Sequence, residues 1–452
     1  MARLPALDTK TLLSIIQKSA RHGMSAEDIE RAVPNVSRST INRRLIDLVT
    51  AKAIIPIGEG SRRKYMTMGA VKVSSGAPIP YSKESQAIRS YLDIPRIDRK
   101  PIGYQRDLVE NYIPNVSFIL PAALRQKLAI IGKTEHERPA GTHARDILSR
   151  LLVDLSWASS RLEGNTYSLL DTKRLIEQGI EAEGKKAMEA LMIMNHKTAI
   201  EFMIDSAADI DFTPMYVRNI HACLAEGLLK NPASVGALRT GIVEIEGSTY
   251  LPPNFPQLIE EMFPLVLRKA ATISDPFEQS IFALAHIAYL QPFEDVNKRT
   301  SRMCCNIPMI RHNLCPMSFV DVSEHDYVSA MLGVYEKNDF NILIDVYEWA
   351  YERSVPRYKA ITDSMGLPDP FLLRYRMEID SMIKNAVINK EEIRCHESVP
   401  ANDKMKVEEI AKKRLKSLNE GNFARFGITP LQYEAWSNKK SKSRPKPSPY
   451  DD

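Results

Sequence analysis

The sequence predicts a mainly α-helical protein with a small β-containing domain at its N-terminus. Apolar residues recur at helical spacing from about residue 143 to about 430, a pattern typical of packed helices. The first seventy residues instead combine short helical patterns with two short β-rich runs. Between these regions, residues 71–125 are rich in Ser, Pro and Gly, which predicts an extended connector with little helix.

The N-terminal elements follow from spacing and punctuation. Helical periodicity predicts a first helix over 9–22, a second from Ser25 to Pro34, and a third capped by Ser37 or Ser39. Two short strands, AIIPI and YMTM, then flank a Gly-rich basic turn. Three helices followed by a basic hairpin are typical of a winged helix-turn-helix domain.

This domain also concentrates the positive charge of the chain. Residues 1–70 hold 12 Lys and Arg against 6 Asp and Glu, whereas the whole chain has a net charge of only +5. We therefore predict contact with double-stranded DNA from the front of the third helix and the turn, and a winged helix used for protein docking is the alternative. The candidate DNA-binding residues are Arg38, Thr40, Asn42, Arg43, Arg44, Arg62, Arg63 and Lys64.

Bulk properties restrict where the protein acts. No stretch approaches the roughly 18 apolar residues that span a bilayer, and Asp8 and Lys10 precede the short apolar run near the N-terminus, which argues against a signal peptide. The five cysteines are odd in number and lack metal-ligand spacing. These features predict a cytoplasmic protein with reduced thiols and no membrane contact.

The helical region divides further along the chain. A hairpin is predicted at 239–252, with loops near 230 and 291. The tail 437–452 has five basic residues, three prolines and no aliphatic residue, so we expect it to be disordered. The predicted segments are a winged helix-turn-helix at 1–70, a linker at 71–142, helices at 143–212, a helical core at 213–355, helices at 356–436 and the tail at 437–452.

One loop carries the residues suited to chemistry. A strongly apolar helix over 277–290 stops at Gln291, and a second apolar helix continues through 303–307. The loop between them opens onto a helix N-terminus, where free N–H groups and the helix dipole favour an anion. Asp295 is placed to hold Mg²⁺ beside phosphates, and the cations and amide that follow it are Asn297, Lys298, Arg299 and Arg302. A capped helix with a solvated basic first turn is the alternative, although basic residues oppose the dipole there.

The order of residues in this loop resembles the motif of the Fic family. The run Pro-Phe-x-Asp-x-Asn-x-Arg-x-x-Arg at 292–302 is similar to the family pattern His-Pro-Phe-x-Asp/Glu-Gly-Asn-Gly-Arg-x-x-Arg. The run LRTGIVEIEGSTYLPP at 238–253 is similar to the family's flap hairpin, with Gly247, Ser248, Thr249 and Tyr250 at its end. The run SSRLEGN at 159–165 resembles its inhibitory helix, with Ser159, Glu163 and Gly164.

This resemblance covers roughly residues 145–355 and implies a fold and an activity. The implied fold is a Fic/Fido helical bundle with a β-hairpin flap, to which an N-terminal winged helix-turn-helix is added. The implied activity is transfer of a nucleotide moiety, usually AMP from ATP, onto a hydroxyl of a target protein. In this reading Asp295 holds Mg²⁺, Asn297, Lys298, Arg299, Thr300 and Arg302 bind the nucleotide, and Glu163 inhibits by pairing with Arg302.

The departures from the family pattern concern the same loop. Gln291 stands at the catalytic histidine position, and an amide cannot act as a general base. Val296 and Lys298 replace two glycines, and the run NKRT at 297–300 is similar to the Doc branch, which phosphorylates its target. His286 lies five residues upstream, rotated by roughly 140° on the helix, and is expected to be structural.

Two functions therefore stay open, with a purely structural scaffold as a third. The first is a Glu163-restrained enzyme that transfers AMP or phosphate to a protein hydroxyl. The second is an inactive, nucleotide-sensing regulator that binds DNA. The sequence does not distinguish a monomer from a homodimer, and it identifies neither the target protein nor the DNA site.

Overall fold

The computed structural model describes residues 8–18, 23–51, 53–58, 60, 63–67, 78–134, 139–364, 371, 374–395 and 399–442. The predicted DNA contact Arg62 lies outside these residues. The chain forms two compact units, Met1–Ser364 and Met365–Asp452. Most described residues of both units are helical, as the sequence predicts.

The N-terminal part of the first unit contains helices α1 (Thr9–Lys18), α2 (Ala26–Ala32) and α3 (Arg38–Thr50). Strands β1 (Met24–Ser25), β2 (Ile54–Ile57) and β3 (Lys64–Thr67) form an antiparallel sheet in the order β1-β3-β2. The side chain of Ser25 accepts from the backbone of Asp28, and that of Ser37 accepts from the backbone of Thr40. These serines cap α2 and α3 because their oxygens satisfy N–H groups that lack an intrahelical partner.

The prediction of an extended linker at 71–142 is wrong, because much of this segment is helical. Helices α4 (Lys83–Leu92), α5 (Asp107–Glu110) and α6 (Ala122–Gly132) lie within it, with strand β4 (Ile102–Gly103). Its serines and prolines include helix starts: Ser82 caps α4, and Pro121 directly precedes α6. Serine and proline occur both in loops and at helix N-termini. Their high frequency alone therefore does not distinguish an extended linker from a series of helix starts.

The helical core follows as α7 (Thr142–Asp146), α8 (Leu148–Arg161), α9 (Leu169–Gln178), α10 (Ala187–Asp205), α11 (Pro214–Ala225), α12 (Pro256–Thr272), α13 (Pro276–Leu290), α14 (Asn297–Cys304), α15 (Ile307–Arg311), α16 (Glu324–Lys337) and α17 (Asn341–Ser364). Every residue of α13 from Phe277 to Leu290 is buried. A helix that is buried on all sides lies in the middle of a core. The loop that follows α13 therefore begins from a rigid element.

The predicted hairpin at 239–252 is absent. Only Tyr250–Leu251 forms a strand, β5, and it pairs in parallel with β4. The segment is instead held by a buried ion pair, because Arg99 binds both oxygens of Glu336 at 2.9 Å and donates to the carbonyl of Gly247. Arg99 lies 148 residues before Gly247 and Glu336 lies 88 residues after Ser248, so the local pattern could not indicate them.

The second unit contains α18 (Arg376–Ile388), α19 (Ala401–Lys416) and α20 (Pro430–Lys442) around a core of its own. Residues 437–442, predicted to be disordered, are the end of α20, and 443–452 lie outside the described residues. Thr429 and Gln432 exchange backbone-to-side-chain hydrogen bonds at the start of α20, and Tyr433 and Trp436 pack on the core. This capping and burial stabilise a helix that the basic composition of the tail obscured. Among the described residues, no helix is long and apolar enough to cross a membrane.

Candidate functional site

The loop between α13 and α14 is fixed by two left-handed residues and one arginine. Gln291 (φ 49°) ends α13, and Val296 (φ 66°) precedes α14. Arg239 donates from Nε to the carbonyl of Gln291 at 2.6 Å and from Nη2 to the carbonyl of Pro253 at 2.5 Å. A β-branched residue such as Val296 is rare in this conformation, so the surrounding contacts must impose it.

The amide of Gln291 is turned into its own helix. Its Nε2 donates to the carbonyl of Ala288 at 2.7 Å, and only 8% of the residue is exposed. The amide is not a proton acceptor at any pH near neutrality. At the position where the Fic motif that this loop resembles has a histidine, the structure therefore holds a group that can donate and accept hydrogen bonds but cannot take a proton.

Two residues predicted to bind nucleotide brace the loop from inside. Asn297 accepts from the backbone of Phe293 and donates to its carbonyl, both at 2.9 Å. The hydroxyl of Thr300 donates to the carbonyl of Val296 at 2.9 Å and is fully buried. The amide of Asn297 and the hydroxyl of Thr300 are both hydrogen-bonded to the backbone of the loop. Direct contact of these side chains with a nucleotide therefore stays a prediction.

Glu163 lies against the cations of α14. Its Oε1 accepts from Arg302 Nη2 at 2.7 Å, and its Oε2 is 3.2 Å from Lys298 Nζ. Burial by itself raises the pKa of Glu163, but Arg302, Lys298 and Arg299 outweigh it and hold this pKa below its ordinary value. Glu163 thus stays ionised in a largely buried position. Gly164 follows it at φ 81°, a conformation that suits glycine.

Ser159 supports the same cation from the preceding turn of α8. Arg302 is fully buried, and it donates from Nε to the Ser159 hydroxyl at 2.9 Å and from Nη2 to the Ser159 carbonyl at 3.0 Å. The end of α8 and the start of α14 are therefore joined by both a carboxylate and a serine. The sequence-predicted residues Ser159, Glu163, Lys298 and Arg302 are brought together.

Arg299 is the least satisfied polar residue of the site. Its side chain is 7% exposed, and its Nε and Nη1 are buried without a hydrogen-bond partner among the described residues. Its Nη2 lies 3.6 Å from Oδ2 of Asp295, whose side chain is 69% exposed. Burial lowers the pKa of Arg299, although a guanidinium remains charged at neutral pH. The arrangement leaves a buried cation with open donors beside an exposed carboxylate.

Two histidines at this site were missed by the sequence reasoning. His196 places Nε2 2.9 Å from the Ser159 hydroxyl, and His221 stacks on Phe293 at 3.9 Å. His221 Nδ1 accepts from the backbone of Gly236, so its proton lies on Nε2, which faces the carbonyl of Asp295 at 3.3 Å. Burial lowers the pKa of His196 to about 3 and that of His221 to about 4. Both lie within helices and outside any motif, so no local signal marked them.

The predicted flap residues are anchored inward. The Ser248 hydroxyl and the Thr249 backbone donate to Glu336 at 2.9 and 3.1 Å, and the Tyr250 hydroxyl donates to the carbonyl of Tyr289 at 2.7 Å. The neighbouring Leu251 is 57% exposed. These contacts fix the position of β5 beside the segment that Arg239 ties to the loop.

The candidate DNA-binding residues differ in their freedom. Asn42, Arg43 and Arg63 are exposed. Arg38 lies 3.8 Å from Glu30, and Arg44 lies 3.2 Å from Asp47. The Thr40 hydroxyl contacts Ser37 at 2.9 Å, and Lys64 is half-buried in β3. Arg38, Asn42 and Arg43 are therefore the exposed members of the set on α3.

Part of this chain is similar to known proteins. Residues 211–309 match the Fic/DOC family model. "Protein adenylyltransferase fic-1" of Caenorhabditis elegans is 26% identical over 202 residues, which are 44% of this chain and 39% of that protein. "Protein adenylyltransferase Fic" of Aedes aegypti is 24% identical over 219 residues, 48% of this chain and 43% of that protein. This chain thus spans about two fifths of the length of these relatives.

Two solved structures are also similar to this chain. Fic-1 from C. elegans superposes with a TM-score of 0.44 at 19% identity, covering 58% of this chain and 73% of that one. A Fic family protein from Desulfovibrio desulfuricans superposes with a TM-score of 0.43 at 16% identity, covering 74% and 97%. The matched segment includes the loop from Gln291 to Arg302. Residues 211–309 of this chain are therefore similar to the Fic/DOC family, and 44% of the chain is similar, at 26% identity, to the fic-1 adenylyltransferase of C. elegans.

Proposed function

We propose that this chain binds a Mg²⁺–ATP complex at the loop 291–302 and transfers AMP or phosphate to a hydroxyl of a protein target, under restraint by Glu163. The observation that carries the proposal is Arg299. Its buried Nε and Nη1 have no partner among the described residues, and buried donors normally have one. A phosphate oxygen would satisfy both, because the guanidinium fork matches phosphate geometry.

Asp295 supports the metal part of this proposal. Mg²⁺ is usually held by one or two protein carboxylates together with substrate phosphates and water. The exposed carboxylate of Asp295, beside Arg299, fits that requirement. The ion would neutralise charge that develops on the phosphates during transfer.

The transfer has two forms that differ in the phosphorus attacked. In AMP transfer, the target hydroxyl oxygen bonds to the α-phosphorus, the bond from that phosphorus to the bridging oxygen breaks, and pyrophosphate leaves. In phosphate transfer, the oxygen bonds to the γ-phosphorus and ADP leaves. In both, the hydroxyl proton goes to water or to the phosphates, since Gln291 cannot accept it. Loss of a general base lowers a rate by about 10²–10⁴-fold, so we expect slow turnover.

Glu163 would act as the restraint. Its Oε1 occupies Arg302 Nη2 at 2.7 Å, and its Oε2 faces Lys298. A terminal phosphate would need the same donors, so carboxylate and nucleotide compete for them. Removing the carboxylate should therefore favour nucleotide binding.

The test uses ATP labelled at the α- or the γ-phosphate, with Mg²⁺, the full chain and a protein extract as a source of targets. Wild type, Glu163→Gly and the control Glu183→Gly are compared. Incorporation from the α-position alone indicates AMP transfer, and incorporation from the γ-position alone indicates phosphate transfer, in each case greatest for Glu163→Gly. Nucleotide binding without incorporation refutes transfer. Absence of binding even in Glu163→Gly refutes the whole proposal.

A DNA-binding regulator that senses nucleotide is the second candidate. It is favoured by the Gln291 amide, which is bonded to Ala288, and by the exposed Asn42 and Arg43 on α3. We expect binding to duplex DNA that weakens as salt rises and falls in Arg43→Ala but not in a control such as Arg174→Ala. A change of this affinity on adding Mg²⁺–ATP would support the regulator, and salt-insensitive or absent binding would refute DNA recognition.

A further inference from the structure

A second concave site lies away from the nucleotide loop. A cleft of about 510 Å³ opens between α5 with its following loop, α13, and the turn that joins α16 to α17. No residue from Gln291 to Arg302 lines it. Its volume falls in the range of about 300–1,000 Å³ that is typical of small-molecule sites.

Two buried polar atoms at this cleft have no partner among the described residues. They are Nδ1 of His286 and Oδ1 of Asn338. His286 is 1% exposed, and burial lowers its pKa to about 3, so the imidazole is neutral. Buried polar atoms are rarely left unsatisfied, and both of these residues line the cleft. A ligand with hydrogen-bonding groups would supply the missing partners of these two atoms.

The charge of the cleft is one-sided. Asp107 and Asp339 line it, and no Lys or Arg is among its lining residues. Asp339 accepts from the backbone and side-chain amides of Asn341, which leaves its negative charge in place. Two cations lie next to the wall: Lys269 directs its ammonium to the carbonyls of Glu110 and Tyr112, and the guanidinium of Arg125 lies 3.6 Å from the ring centroid of Phe118.

Aromatic rings form much of the wall. Phe340 and Phe118 line the cleft; Arg125 already lies over one face of Phe118, and the ring of His286 lies 5.8 Å from that of Phe340 and 4.2 Å from that of Phe282. The face of a phenyl ring attracts a cation, most strongly where water is excluded. Two carboxylates, the amide oxygen of Asn338 and the ring of Phe340 together are groups that recognise an organic cation.

We propose that this cleft binds a small organic cation that carries an amine or a guanidinium group. Asp107 and Asp339 would supply the countercharge, Oδ1 of Asn338 would accept a hydrogen bond, and Phe340 would offer its ring. The site is independent of the nucleotide loop, so it stands whether or not the chain is a transferase.

The test titrates the full chain with agmatine and with spermidine by calorimetry, using 1-butanol as a neutral probe. Asp107→Asn removes one charge at an exposed position, and Asn338→Gly removes the acceptor at a left-handed residue where glycine is tolerated. Asp98→Asn is the matched control, because Asp98 is exposed and lies outside the cleft. Circular dichroism checks that each variant is folded.

We expect one saturable site for agmatine or spermidine, weakened about tenfold or more in Asp107→Asn and in Asn338→Gly and unchanged in Asp98→Asn. The proposal is overturned by the absence of saturable binding of both cations to wild type. It is also overturned if folded Asp107→Asn and Asn338→Gly both bind like wild type, or if 1-butanol binds as tightly as agmatine.

Discussion

If the loop performs the proposed transfer, the side chain at position 291 limits its rate. Gln291 is held by its amide on Ala288 and by Arg239 on its carbonyl, so the backbone geometry does not depend on proton transfer. The buried histidines nearby do not replace a base, since His196 and His221 are engaged and their pKa values are strongly lowered by burial. Under the proposed transfer, position 291 therefore lacks a proton acceptor, in addition to the two glycines that Val296 and Lys298 replace.

Restoring that side chain is the first residue-scale prediction. Gln291→His in the Glu163→Gly background should raise label transfer from ATP by about 10²-fold or more, because a general base contributes about 10²–10⁴. Histidine also tolerates the left-handed conformation of this residue better than most. Gln291→Asn, which cannot accept a proton, is the control. Equal transfer by the two variants would contradict a limiting role for the proton acceptor.

The second residue-scale prediction concerns the ion pairs of Glu163. Because the pKa of Glu163 is lowered in the folded protein, their contribution to the free energy of unfolding is fully present above the ordinary value of 4.5 and is lost as pH falls through the lowered pKa. Glu163→Gln should therefore be less stable than wild type at pH 7, by about 3 kcal/mol. Urea unfolding from pH 7 to pH 3 measures this difference, which should shrink at the acid end. A gap that is constant with pH would rule out the charge as its cause.

At the scale of elements, helix capping and helical periodicity could be predicted from the sequence, whereas pairing between residues far apart in the chain could not. Ser25 and Ser37 cap α2 and α3 within three residues, so the sequence contains the whole interaction. The strand β5 depends on Glu336 and Arg99, which no local pattern connects to it. The clustering of Glu163 with the α14 cations was predictable only through family resemblance, and the neighbouring histidines His196 and His221 carried no signal at all.

The element-scale prediction tests the anchor of β5. Glu336→Ala leaves the buried guanidinium of Arg99 without its carboxylate and removes acceptors for Ser248 and Thr249. Breaking a buried ion pair typically destabilises by about 3–5 kcal/mol. We expect this loss in urea unfolding, with faster hydrogen exchange at the Thr249 amide, while Glu183→Ala changes neither. Unchanged exchange at Thr249 would show that the pairing with β4 suffices to hold the strand.

At the scale of the whole molecule, net charge and hydrophobic cores differ between segments of the chain. Residues 1–70 carry a net charge of +6 and residues 365–452 carry +4, so the part between them is −5. Any polyanion other than nucleotide should therefore be attracted to the ends of the chain. The unit Met365–Asp452 also has its own hydrophobic core, which includes Ile379, Ile383 and Phe426.

Separate hydrophobic cores predict that the two units unfold in separate thermal transitions. Nucleotide binding should raise the midpoint temperature of only one of them. A ligand that binds the native state alone stabilises it by about 2.7 kcal/mol at a hundred times its Kd. Mg²⁺–ATP should therefore raise the transition of the unit that contains the loop, more so in Glu163→Gly, and leave that of Met365–Asp452 in place. Ile383→Ala, which empties a fully buried position, should lower only the latter. Differential scanning calorimetry measures both transitions, and a single transition that shifts as a whole with ATP would show that the two units unfold as one.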